Sequence, residues 1–316
     1  MKLLKSHILV VLLLMLASGL ACTRGPKAGA QRAYTGSLTA AQLLEKGEME
    51  LHRRKWEDGR RSLRLIEEFL PSSAEFPAAK LLIADSFFYS GRSGLPEAEV
   101  EYQSLLNYFP NHPRREYVLH RIALCRYAAI ENSERDQTAT HKAIEAFNRL
   151  LQEAPGTLYA TDARAMITQC WMRLAEHELM VGIFYVNSYQ YAAAENRLKG
   201  MLETYPEYSD RERAYYFLGE ALRHKYPSRD LFSQELRAYL DTINKREEDP
   251  LTPEERRAWQ ARHDEFLKTE RDRYAAEARS FFLRLVESYP TSSWAGRARD
   301  RLLELGQVRI TEELDG

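Results

Sequence analysis

The sequence of 316 residues is poor in several residue types, and each shortage excludes a class of protein. Three cysteines are too few for a framework of disulfide bonds. Fifteen glycines and twelve prolines fall below average usage, which favours helices over turn-rich β architecture. The 45 Lys and Arg residues balance 46 Asp and Glu residues, so there is no basic footprint for general nucleic-acid binding. Only the N-terminus is continuously apolar, which excludes a polytopic membrane protein.

The sequence also lacks the motifs of common active sites. It has no Gly-rich phosphate loop, no nucleophile elbow and no cluster of metal ligands. His177-Glu178 begins like a zinc-protease motif, but the second histidine of that motif would stand at Val181. We therefore predict a protein that is not an enzyme and needs no cofactor or metal, and we interpret this pair as a packing and hydrogen-bonding element.

The N-terminus carries a targeting signal. Two lysines precede an aliphatic stretch over residues 8–16, and small residues follow it. This order predicts a secretory signal peptide over residues 1–21, with a retained membrane anchor as the alternative. Cys22 follows the predicted cleavage site and is a candidate for lipidation, because residues 19–22 resemble a bacterial lipobox, although Gly19 replaces the usual leucine. Simple secretion after cleavage is the other possibility.

Residues 22–39 form the predicted link between lipid and folded protein. They contain Gly, Pro, Ala, Ser and basic residues without an apolar period, which is typical of a flexible tether.

A repeat marked by proline dominates the rest of the sequence. Five amphipathic stretches each end in a proline, namely Pro71, Pro110, Pro155, Pro206 and Pro290. The residue twelve positions earlier is always small: Gly59, Ala98, Ala143, Ala194 and Ala278. The residue eight positions earlier is always large: Leu63, Tyr102, Phe147, Leu198 and Phe282. This spacing is the second-helix signature of the tetratricopeptide repeat, in which the small residue lets two helices approach closely.

The repeats predict an all-α fold. We expect an α-solenoid of about five tetratricopeptide-like helix pairs over residues 40–305, with a C-terminal capping helix over about 292–305 and a tail over 306–316. A helical insertion at about 225–271 separates the last two prolines, and Thr252-Pro253 is a good start for a long helix within it. Cys125 and Cys170 share one position of successive repeats, so we interpret both as packing residues.

Two stretches, residues 135–163 and 174–206, make the resemblance to a known family specific. The elements that carry it are Arg135-Asp136-Gln137, Tyr159-Ala160, Asp162-Ala163, Leu174-Ala175, His177-Glu178, Phe184-Tyr185, Ala194 and Asn196-Arg197. Together they resemble the BamD family, the tetratricopeptide-repeat lipoproteins of the bacterial outer-membrane β-barrel assembly (BAM) machinery. The resemblance covers roughly residues 40–225, and it is weaker beyond Lys225.

The resemblance implies a scaffold on the periplasmic face of the outer membrane. Such a scaffold docks a POTRA domain of the insertase BamA and helps to recognise unfolded outer-membrane proteins through their aromatic C-terminal strand. Other BAM lipoproteins are further candidate partners. The implied partner-binding residues are Arg197, Tyr185, Glu178, Arg135 and Asp136. We expect Arg197 to pair with a partner carboxylate, with packing on apolar surface as the alternative. For Arg135 and Asp136 the alternative to partner contact is a capping role at a helix start.

Three consecutive aromatic residues predict a second site. Phe87, Phe88 and Tyr89 lie on the first helix of repeat two, and one helix face cannot bury all three. We expect the exposed ring, with Arg92 nearby, to take the aromatic end and carboxylate of a substrate peptide. The alternative is that all three rings belong to the core.

Two other functions compete with this interpretation. A different periplasmic repeat scaffold, serving peptidoglycan or cell-envelope maintenance, would lack the stretches around Arg135 and His177. An enzyme such as a helical lytic transglycosylase would need a separate catalytic domain of at least ~100 residues, for which the repeats leave no space.

Overall fold

The protein is all-α, as predicted. The computed structural model describes residues 38–314, and it shows twelve α-helices and one 3₁₀ turn in that range. The helices are α1 (Ala40–His52), α2 (Trp56–Phe69), α3 (Phe76–Tyr89), α4 (Leu95–Tyr108), α5 (Arg115–Ala128), α6 (Thr138–Glu153), α7 (Ala160–Asn187), α8 (Tyr191–Thr204), α9 (Arg211–Arg223), α10 (Arg229–Thr242), α11 (Pro253–Ser288) and α12 (Ser293–Leu314). The predicted signal peptide, Cys22 and most of the tether lie outside the described residues.

The repeat positions explain where these helices end and how they pack. Helices α2, α4, α6, α8 and α11 each stop two residues before one of the five prolines, which cannot continue a helix. The small and large positions of all five repeats are buried, and the five large side chains are fully buried. Side chains that are spaced four residues apart lie on one helix face, so each repeat presents the same small-then-large ridge to its neighbour.

Contacts divide the described chain into two compact units. The first contains residues 38–128 with 149–159, and the second contains residues 129–148 with 160–314. In the first unit α1, α2, α3, α4 and α5 pack in that order, and in the second unit α7, α8, α9, α11 and α12 pack in that order. Each helix hides its apolar face only against neighbours, as expected for repeat proteins.

The insertion that the sequence indicated at about 225–271 forms a helical hairpin. Helix α10 runs antiparallel to the first half of α11, because Tyr239 meets Trp259 at 5.4 Å between ring centroids and Phe232 meets Phe266 at 5.7 Å. The predicted start of α11 is confirmed: Thr252 and Glu255 form a reciprocal capping box.

A buried carboxylate on α8 accepts hydrogen bonds from two lysines near the base of this hairpin. Glu195 on α8 accepts hydrogen bonds from Lys199 at 2.8 Å and from Lys225 at 2.6 Å, and Lys199 also bonds Glu277 on α11. Burial acts to raise the pKa of Glu195, but the bonds from the two lysines outweigh it and lower that pKa.

Among residues 38–314, every helix is too short or too polar to cross a lipid bilayer.

Candidate functional site

A glycine lets α7 and α8 approach closely enough to form one side of the candidate site. A Cβ atom added at Gly182 would lie 2.4 Å from Cδ2 and 2.6 Å from Cγ of Leu198, which is fully buried. Such distances are far below van der Waals contact, so the observed packing requires glycine at this position. The two helices leave a surface groove, which we call the α7–α8 groove.

The charged end of the α7–α8 groove contains three of the predicted partner-binding residues. Glu178 and Tyr185 from α7 and Arg197 from α8 line one cavity of ≈ 470 Å³. Nη1 of Arg197 donates to both carboxylate oxygens of Glu178, at 2.9 and 3.2 Å. Within residues 38–314 the carboxylate that pairs with Arg197 is therefore Glu178, and its expected pairing with a partner protein stays a prediction.

This ion pair leaves the arginine able to bind more. The side chain of Arg197 is 44% exposed, and its Nε and Nη2 have no hydrogen-bond partner within residues 38–314. An arginine offers five donors in a planar fork, so a second carboxylate can add to the pair without breaking it.

The two other predicted partner-binding residues lie on the loop before α6. The Oδ1 atom of Asp136 accepts a hydrogen bond from the backbone N–H of Thr138 at 2.9 Å, and hydrogen bonds from the side chain and the backbone of Thr138 lower the pKa of Asp136. Asp136 therefore caps the start of α6, which was one of the two interpretations from the sequence. Arg135 is exposed, and its Nε lies 3.8 Å from Glu131.

A histidine places this loop beside α7. Nδ1 of His177 lies 2.6 Å from the carbonyl oxygen of Ser133. Since a carbonyl only accepts, Nδ1 carries the proton and donates it. His177 is thus a hydrogen-bonding element, and it brings the loop next to Glu178 and the charged end of the α7–α8 groove.

The other end of the α7–α8 groove is apolar, and sequence reasoning missed it. Trp171 and Met172 on α7, with Tyr205 and Pro206 after α8, line a cavity of ≈ 350 Å³. The rings of Trp171 and Tyr205 are tilted, with centroids 6.0 Å apart. Thr204 and Tyr205 line both cavities, so the apolar end and the charged end are continuous.

The predicted aromatic site lies in the first unit, on α3. Phe87 and Phe88 are half-buried, whereas Tyr89 is 53% exposed. Tyr89 lines a cavity of ≈ 440 Å³ together with Trp56, Leu51 and Arg54. The lining of this cavity thus combines aromatic rings with a guanidinium group, and it also includes the carboxyl groups of Glu48 and Asp85.

Two arginines that the sequence did not single out cover these rings. The guanidinium of Arg60 lies 4.2 Å from the Phe87 ring centre, and that of Arg121 lies 4.5 Å from the Phe88 ring centre. Nη2 of Arg121 also donates to the Tyr89 hydroxyl at 2.6 Å. The predicted cation, Arg92, instead donates to the Ala128 carbonyl at 3.0 Å.

The remaining candidate groups take no part in either site. Cys125 and Cys170 are buried and not bonded to one another, as the packing interpretation predicted. Burial raises the pKa of the Cys125 thiol to about 12 and that of Cys170 to about 11. In the described part of the chain, no group of three or more His, Cys, Asp or Glu residues is arranged to hold a metal ion.

Comparison with known proteins gives one consistent family. The family model described as "YfiO: Outer membrane lipoprotein" matches residues 37–235. Outer membrane protein assembly factor BamD from Caulobacter vibrioides is 30% identical over 179 residues, which are 57% of this chain and 58% of that protein. BamD from Xylella fastidiosa strain Temecula1 is 25% identical over 228 residues, which are 69% of this chain and 76% of that protein. BamD from Neisseria gonorrhoeae is 25% identical over 207 residues, which are 61% of this chain and 77% of that protein.

Among solved structures, an assembly chaperone of RpL4 matches with 19% identity over 88% of this chain and 100% of that chain. Its TM-score of 0.25 is too low to bear on fold or function.

Proposed function

The chain belongs to the YfiO family of outer membrane lipoproteins, the family of BamD, and on that premise we propose that it is a non-enzymatic scaffold of the outer-membrane β-barrel assembly machinery. The match of the family model to residues 37–235 is the observation that carries this proposal. The matched range includes both candidate sites, from the aromatic cavity on α3 to the α7–α8 groove.

The proposed docking site for BamA is the α7–α8 groove. Arg197 offers two unoccupied donor atoms to a partner, and Glu178 holds its guanidinium in place. An exposed ion pair of this kind contributes only about 0.2–1 kcal/mol to stability, so its value lies in presenting a fixed positive group. A POTRA-domain carboxylate at this place would form a bidentate pair with arginine, which adds geometric specificity to the attraction.

Co-purification tests this assignment. The full-length chain carrying an affinity tag is purified from detergent-solubilised envelopes of its own organism, and BamA is quantified in the eluate. We expect BamA to co-elute, and depletion of the chain to lower the amount of folded outer-membrane β-barrels. Intact bait without BamA, combined with unchanged β-barrel levels, would refute the proposal.

Lipidation at Cys22 is proposed to hold the scaffold at the periplasmic face of the outer membrane. Two or more acyl chains make such anchoring stable, whereas one chain gives only reversible binding. A Cys22→Ala variant should leave the outer-membrane fraction when BamA is depleted. Continued fractionation with the outer membrane under that condition would show that lipidation is not the anchor.

Recognition of unfolded outer-membrane proteins is proposed for the cavity beside Tyr89. Its aromatic walls, Trp56 and Tyr89, suit an aromatic side chain, and Arg54, which also lines the cavity, suits a terminal carboxylate. Arg121 fixes the Tyr89 ring through its hydroxyl, so the wall of the cavity is held in place before a peptide binds.

A short peptide distinguishes this site from a packing cluster. We expect a ten-residue peptide that ends in phenylalanine to bind more tightly as the free acid than as the C-terminal amide. Tyr89→Ala should weaken binding of the acid, whereas Tyr226→Ala, which changes an exposed tyrosine in the other unit, should not. Equal affinity for acid and amide, or no effect of Tyr89→Ala, would remove this site from the proposal.

A further inference from the structure

We propose that the Trp171–Tyr205 cavity is the anchor pocket of the docking groove and takes a large apolar side chain from the same BamA segment whose carboxylate pairs with Arg197. This inference deepens the proposed function and depends on it. The walls of the anchor pocket are formed by Trp171, Met172, Ala175, Tyr205, Pro206 and Tyr208, and its lining is completed by Thr168, Thr204 and Glu207.

The chemistry of the anchor pocket calls for an apolar occupant. Indole, thioether, phenol and pyrrolidine groups form its walls, and the cavity of ≈ 350 Å³ has room for one large side chain. Trp171 is 43% exposed although it stands on a helix whose neighbouring residues, Cys170 and Leu174, are buried. Exposed tryptophan beside a preformed apolar cavity is typical of the few residues that dominate binding at protein interfaces.

The charged end of the groove identifies the occupant as part of a protein segment. The anchor pocket shares Thr204 and Tyr205 with the cavity that contains Arg197 and Glu178. The free donors of Arg197 call for an anion, so a ligand that fills the whole groove is apolar at one end and acidic at the other. A protein segment can carry a bulky apolar side chain and a carboxylate at a fixed spacing along its backbone, as the two ends of the groove require.

Helix geometry gives the spacing that such a segment needs. Trp171 precedes Glu178 by seven residues on α7, and Arg197 precedes Tyr205 by eight residues along α8. At ~1.5 Å of rise per residue, the two ends of the groove lie ~10–12 Å apart. The partner therefore carries its apolar anchor and its carboxylate about seven residues apart on a helix, or about three to four residues apart on a strand at ~3.3 Å each.

Photo-crosslinking in cells tests both the pocket and its occupant. Benzoylphenylalanine is placed at position 171 in the anchor pocket, at position 196 at the charged end, or at position 226 as a control outside the groove. Adducts with BamA from 171 and 196, and none from 226, are the expected result. A BamA adduct from 196 but not from 171 would overturn the anchor pocket while leaving the docking site standing. Absence of BamA adducts from both positions would overturn both, and adducts from 171 only with lipid or with another protein would reject BamA as the occupant.

Binding to the purified periplasmic region of BamA supplies a second readout. The full-length chain in detergent should bind at least ~10-fold more weakly when Trp171→Ala removes the anchor wall. Thr168→Lys, which places a charge at the exposed rim of the pocket, should give a similar loss without removing packing. Tyr226→Ala is the matched control and should bind like wild type. If both groove variants keep wild-type affinity while Arg197→Glu does not, the anchor pocket is refuted and the docking site is retained.

Discussion

Adding a single methyl group at Gly182 should separate the two walls of the α7–α8 groove. The added Cβ atom would lie 2.4 Å from Cδ2 of Leu198, which is fully buried. Overpacking of this kind costs about 1–3 kcal/mol. Alanine is also a better helix former than glycine by about 1 kcal/mol, so the net loss for Gly182→Ala is about 0–2 kcal/mol.

The same helix pair offers a matched control. A Cβ atom added at Gly200 on α8 meets nothing within 4 Å, so Gly200→Ala should show the helix gain alone and raise stability by about 1 kcal/mol. The difference between the two variants isolates the clash, which we expect at about 1–3 kcal/mol. Urea denaturation of the full-length chain in detergent, followed by circular dichroism, measures both free energies of unfolding.

A double variant identifies the clashing side chain. Leu198→Ala alone should cost about 2–5 kcal/mol, because it empties a fully buried site. In that background Gly182→Ala no longer meets Leu198 and should become stabilising. If Gly182→Ala stabilises wild type as much as Gly200→Ala does, the close approach of α7 and α8 at this point is wrong.

Three further outcomes follow from individual side chains. Arg197→Glu should weaken binding to the periplasmic region of BamA at least ~10-fold, because it places like charges together. The control variant Arg237→Glu, on the insertion and outside the groove, should bind like wild type. Equal losses in both variants would show that the effect comes from a nonspecific change in net charge. Cys125 and Cys170 should resist alkylation by iodoacetamide at pH 8 in the folded protein and react after unfolding, because burial raises the pKa of both thiols well above that pH. Peptide mass spectrometry measures the labelling, and rapid labelling of the native protein would contradict their packing role. The pKa of Glu195 is lower in the folded chain than in the unfolded chain, so its contribution to stability is present above pH ~4.3 and is lost as pH falls through the folded value. Glu195→Gln should therefore lose less stability on acidification than wild type, and parallel pH curves would rule out this linkage.

Much of the fold could be predicted because the residues that pack each repeat stand at fixed, short spacings in the sequence. A small residue and a large residue four positions later lie on one face of a helix, and a proline eight positions after the large residue follows the end of that helix, so pattern alone predicts which face is buried. The hairpin in the insertion could not be predicted in this way because the insertion lacks the repeat pattern. Its pattern of Phe232, Leu236 and Tyr239 has helical spacing, yet only pairing with α11 shows what that face packs against.

The sites were harder to predict because their residues come from separate helices. The sequence singled out Glu178 and Arg197 through a family resemblance, but not that they pair with each other. Trp171 and Tyr205 are separated by 34 positions, and Arg121 stands 32 positions from Tyr89. No local spacing relates such residues, so their contacts appear only once the helices are packed.

Hydrogen exchange on the complex tests the central claim most directly. The full-length chain in detergent is compared with and without the periplasmic region of BamA, and backbone amide exchange is followed peptide by peptide. The account predicts slower exchange in peptides from residues 168–205 on binding, with residues 229–260 of the insertion unchanged. Slowed exchange confined to other parts of the chain, with 168–205 unaffected in a stable complex, would contradict docking at the α7–α8 groove.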